Sequence, residues 1–216
     1  MSYSLNEIST TCKRAARGAG LSWGLAEEAG FAARWLAAHG LPGPEALAQH
    51  LGKIDGVDYD QIRPRDTSDI WQAKGAALCP LITGAVISDL ATELATGREI
   101  ELGRVSYPLL LLPCIASASA LKGAKLTLSW PGLTAGFDPE LRLDLPDHAA
   151  LNCTEATTVH IKAGQNPSGD AIPLQNRAET SPDTLRILAH FGHRTYAPDT
   201  AESRLSGAGA GLSDND

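Results

Sequence analysis

The sequence predicts an α+β fold: a helical N-terminal part packed on a mainly antiparallel sheet, then a C-terminal helix and an ordered glycine-rich tail. Three observations predict it. Apolar residues recur at helical spacing between recognisable caps through residue 97, alternate residue by residue over 98–163, and return to helical spacing over 182–195. A single domain over 1–216 accommodates these parts, with 196–216 as the tail.

Ser4-Leu5-Asn6-Glu7 reads as a capping box. The Ser4 hydroxyl can accept the Glu7 amide while the Glu7 side chain reaches back to the Ser4 amide. Leu5, Ile8, Cys12, Ala15 and Ala16 follow near helical spacing, and Gly18 and Gly20 end the helix. Ser22 opens a second helix in which Leu25, Ala29, Ala32 and Leu36 form a core stripe, widened by Trp23, Phe31 and Trp35. Gly40 ends it, and Pro44 starts a third helix from the first helical position.

The polar run Asp55–Thr67 reads as a loop in which Arg63 and Arg65 could hold an anion. A helix, broken near Pro80 and Gly84, is expected over much of Ser68–Thr96. Strands are expected at Glu99–Leu102, at the buried run Pro108–Ile115, at Ala124–Trp130, at Glu140–Leu145 and at Thr157–Ala163. Pro131–Gly136 is expected to be a turn, and Gly164–Asn176 a loop or wide hairpin connection. Ser181-Pro182-Asp183 begins the last helix.

Composition narrows the classes of function. The net charge is −7 and the chain has no basic stripe, so neither nucleic acid nor an anionic membrane is an expected partner. The apolar run Val105–Gly123 is broken by Pro108 and Pro113 and is too short to span a bilayer. Cysteines 12, 79, 114 and 153 form no close pair, which suits free thiols in a reducing, cytoplasmic compartment and argues against structural zinc. The N-terminus lacks the basic start and apolar core of a signal peptide.

No nucleophile–base pair is legible, and no metal set is assigned. His190 and His193 share a helix face but lack a third ligand, and helix C-terminal histidines are favoured by the dipole alone. His160 reads as a packing or surface residue on a strand. The residues nominated for a ligand site are Trp23, Glu27 and Arg34 from the second helix, and Arg194, Tyr196 and Arg204 after the last one. Gly207, Gly209 and Gly211 join them, because alternating glycines let backbone amides converge on an anion.

Three stretches, KRAARGAGLSWGLAEEAGFAARWLAAHGL, YPLLLLPCIASA with LTLSWPG, and RTYAPDTAESRLSGAGAGLSDND, together resemble an uncharacterised bacterial family, a domain of unknown function found largely in proteobacteria. That resemblance implies no reaction. The layout of residues 19–51 is also similar to the N-terminal helical segment of the type 2 malate/L-lactate dehydrogenase family, which implies a nicotinamide enzyme. The Asp-Ser-His-Gly segment of that family is absent, because His39-Gly40 follows Ala37-Ala38. The cofactor is therefore left open.

Two functions fit these features. The first is a metabolic enzyme, or a subunit of one, acting on a small carboxylate-type molecule between the helical front and the strands. The second is a non-catalytic accessory subunit whose C-terminal tail docks on a partner. A small-molecule ligand and a second copy of the chain stay open as partners.

Overall fold

The computed structural model describes residues 2–138, 143–144, 149–164 and 172–196. In chain order its elements are β1 (Ser2–Ser4), α1 (Leu5–Gly18), α2 (Trp23–Ala38), α3 (Gly43–Ile54), α4 (Tyr59–Ile62), α5 (Pro80–Asp89), α6 (Ala91–Ala95), β2 (Ile100–Leu102), β3 (Val105–Ser106), α7 (Leu112–Lys122), β4 (Leu126–Trp130), β5 (Leu133–Phe137), β6 (Leu143–Asp144), β7 (Glu155–Ala156), β8 (Val159–Ala163), β9 (Arg177–Glu179) and α8 (Pro182–His193). This is an α+β fold with antiparallel sheets.

The helical front forms as its caps dictate. Ser4 and Glu7 close the capping box on α1, each side chain accepting the other's amide. Ser22 Oγ accepts the Leu25 amide at the start of α2, and Ser181 Oγ that of Thr184 at the start of α8. The central helix α1 packs on both α2 and α8, and buries Ile8, Cys12, Ala15 and Ala16. Small residues let these helices approach closely: Ala26, Ala29, Ala33 and Ala37 of α2 are all buried.

The main sheet runs in the order β2-β8-β4-β5-β6. Leu126, Leu128 and Trp130 face inward with Leu133, Ala135 and Phe137 from β5 and Val159 and Ile161 from β8. Helix α7 packs on β4 and β5, and α6 on β8. The buried residues of helices and sheet belong to one apolar cluster. Two smaller antiparallel pairs, β1-β9 and β3-β7, tie later segments back to earlier ones.

Three expectations are corrected. Pro108–Ile115 is not a strand: a 3-10 turn, Pro108–Leu111, leads directly into α7. Pro108 is the first residue of the 3-10 turn and Pro113 the second of α7, both in a first turn where a missing N–H costs nothing, and Gly123 closes the helix in the left-handed region (φ 61°). Ser68–Leu78 is not helical. The Trp71 amide donates to Glu101 O and the Leu78 amide to Arg104 O, so both residues lie in parallel bridges beside β2 and β3 with their side chains buried. Burial of those two anchors outweighs local helix propensity. Finally, the turn after β4 is only Pro131-Gly132, with Gly132 at φ 90°, and Leu133–Phe137 is the strand β5.

Among the described residues, no helix is long and apolar enough to cross a membrane.

Candidate functional site

A cleft of about 530 Å³ runs along the outer face of α2. Its floor and flanks are Phe31, Arg34, Trp35, Ala38 and His39; Leu5 closes one end, and Ile172–Asn176 forms the opposite wall. That wall is held by the Gln175 amide donating to Ala38 O at 2.8 Å, and by β9, which follows it and pairs with β1. Helical rotation of 100° per residue explains the layout. Phe31, Trp35 and Ala38 share one face, with Arg34 on one flank and His39 on the other.

The lining is apolar with two polar flanks. Phe31 is 39% and Leu174 68% exposed, high for large apolar residues. Arg34 is exposed and makes no ion pair or hydrogen bond with another described residue. His39 is buried, and its ring stacks on Trp35 with centroids 3.8 Å apart. His39 Nδ1 lies 2.8 Å from Trp35 O, and a carbonyl only accepts, so Nδ1 carries the proton. Burial holds this imidazole below its ordinary pKa, despite the opposing effect of that hydrogen bond. The neutral ring therefore presents Nε2 as a lone-pair acceptor.

The other described candidates gather elsewhere, around α1. Glu27 pairs with Lys13 at 2.7 Å, and the Trp23 ring carries the Arg17 guanidinium at 5.2 Å. Arg14 donates to the Tyr196 hydroxyl at 2.7 Å and lies over its ring. Arg194 holds Asp55 through two hydrogen bonds, which keep the Asp55 carboxyl below its usual range. Trp23, Glu27 and Tyr196 thus each contact a side chain within one turn of α1, at Arg17, Lys13 and Arg14 respectively. Among the nominated residues that are described, Arg34 alone lines the α2 cleft. Arg204, Gly207, Gly209 and Gly211 lie outside the described residues.

Residues 3–78 match a family model described as Protein of unknown function (DUF3726). The matched region contains Arg34, Trp35 and His39, whereas the opposite wall of the cleft lies beyond it. No curated protein matches the chain.

A second cluster has no counterpart in the sequence reading. His50, fully buried on α3, stands with Nε2 3.2 Å from Cys79 Sγ and Nδ1 2.9 Å from Ser106 Oγ. Desolvation pushes the His50 pKa down to about 3 and the Cys79 thiol up to about 11, so both are neutral near pH 7. Tyr107 covers the group edge-on, held at φ 45° and bonded through its hydroxyl to Gln49. No described cleft is lined by His50, Cys79 or Ser106. A sealed, neutral hydrogen-bond chain of this kind fixes three segments to one another. Only the third dimension joins residues 50, 79 and 106, so no sequence spacing could have signalled it.

On the open face of the main sheet, Glu101, His160 and Ser129 are cross-strand neighbours in a polar cleft of about 510 Å³. No hydrogen bond links their side chains. Among the described residues, no group of three or more His, Cys, Asp or Glu is arranged to hold a metal ion. His190 and His193 occupy the last turn of α8, where the helix dipole favours them.

Proposed function

We propose that this protein binds a small carboxylate with an apolar body in the cleft along α2, and that it acts as a metabolic enzyme or enzyme subunit on that molecule. One observation carries the reading: Arg34 is a cation without an acidic partner among the described residues, at the edge of an apolar cleft. Guanidinium pairs with carboxylate through two parallel hydrogen bonds, and Phe31, Trp35 and Leu174 offer surface for an apolar body. The volume, about 530 Å³, lies within the range of small-molecule sites. The net charge of −7 makes a surface arginine without a partner among the described residues more notable, because acidic residues are plentiful in the chain.

Isothermal titration with 3-phenylpropionate tests this. Wild-type protein is expected to bind it, and Arg34→Gln to bind it about tenfold more weakly. An absence of binding to wild type, or equal binding to both proteins, overturns the reading.

A further inference from the structure

We infer, resting on that reading, that the ligand is bipolar: besides its carboxylate it carries an O–H or N–H donor at the far end of its apolar body, received by His39 Nε2. The two flanks of the cleft are chemically different, and helix geometry sets them apart. Arg34 and His39 are five residues apart on α2, which separates them by about 7.5 Å along the axis and roughly 140° around it. Phe31, Ala38 and Trp35 fill the interval. A molecule whose carboxylate meets Arg34 therefore lays its apolar body across these three residues and brings its distal end to His39.

His39 is prepared to accept a hydrogen bond and nothing else. Its Nδ1 proton is committed to Trp35 O, and stacking on the indole fixes the ring plane. Nε2 has no hydrogen-bond partner among the described residues, and His39 lines the cleft. A buried acceptor left without a donor when an apolar ligand displaces its water carries a penalty. That penalty discriminates against a carboxylate with no distal donor, and makes His39 a specificity residue for the proposed site.

The test compares 3-(4-hydroxyphenyl)propionate with 3-phenylpropionate, which differ only by the distal hydroxyl. By titration calorimetry the phenol is expected to bind wild type about tenfold more tightly. In His39→Asn the side-chain amide can still donate to Trp35 O, but no atom stands where Nε2 was. The preference, read as the ratio of the two affinities in that same variant, is expected to fall below about twofold. If both acids bind wild type equally, the bipolar inference is overturned and the carboxylate reading survives. If neither binds, both fall. A readout on wild type guards against misfolding of the variant: the 15N resonance of His39 Nε2 moves upfield with the phenol and stays in place with 3-phenylpropionate. Equal shifts with both acids, or none with either, count against His39.

Discussion

Gly18 at the end of α1 faces the backbone of Phe191 on α8 so closely that a methyl group at Gly18 would stand 1.8 Å from the Phe191 carbonyl oxygen. This contact lets α1 and α8 touch, and it places Arg14 against Gly192 and the Tyr196 hydroxyl.

Gly18→Ala must push the two helices apart. We expect a loss of about 3 kcal/mol, read as a fall of roughly 10 °C in Tm. Gly24→Ala is the control: it lies in α2 with nothing near the new methyl group, and is expected to be neutral or stabilising by up to about 1 kcal/mol. Equal effects of the two substitutions would show that helix propensity, not the crossing, governs position 18.

The buried His50 gives stability a pH dependence whose sign is fixed. Its folded pKa is about 3, against 6.5 for the free side chain. Between those values the unfolded chain binds the proton and the folded chain does not, so the His50 contribution is complete above pH 6.5 and is lost as the pH falls. The loss amounts to a few kcal/mol on the way down to pH 3. In NMR, the His50 ring protons should show no titration between pH 5 and 8. A midpoint near 6.5 would contradict the buried, neutral assignment.

Thr83 is fully buried with its hydroxyl unbonded among the described residues. Replacing it with valine removes a desolvated polar atom and keeps the shape. Thr83→Val is expected to raise stability by about 1 kcal/mol in urea unfolding. A destabilisation of that size would mean the hydroxyl has a partner.

The four cysteines are free and differ in accessibility. Burial raises the thiol pKa of Cys12, Cys79 and Cys114, the last to about 12, and Cys114 Sγ also donates to Leu111 O. Cys114 and Cys153 are both partly exposed, whereas Cys12 and Cys79 are buried. Ellman's reagent should therefore modify Cys153 readily in the native protein, Cys114 only slowly because its thiol stays protonated, and Cys12 and Cys79 only in denaturant. Rapid native labelling of Cys79 would show that the group beneath Tyr107 is open.

Local signals made much of the fold legible. The Ser4, Ser22 and Ser181 caps mark α1, α2 and α8, and residue-by-residue alternation marks β4 and β8. Each is a matter of side chains within a few positions meeting the backbone or one face. The sequence nominates Arg34, with Trp23 and Glu27 of the same helix, as a candidate for a ligand site. The acceptor role proposed for His39 has no such local signal, because it depends on which carbonyl takes the Nδ1 proton.

The sequence by itself determined the α+β class, the capped helices and the strand alternation, because those follow from short-range hydrogen bonding and periodicity. Tertiary structure alone decided that Ser68–Leu78 lies extended beside β2 and β3, that Ile172–Asn176 returns to wall the α2 cleft, and that His50, Cys79 and Ser106 meet in the core. These arrangements join residues distant in the chain, and the burial of anchors such as Trp71 and Leu78, rather than any local preference, holds them in place.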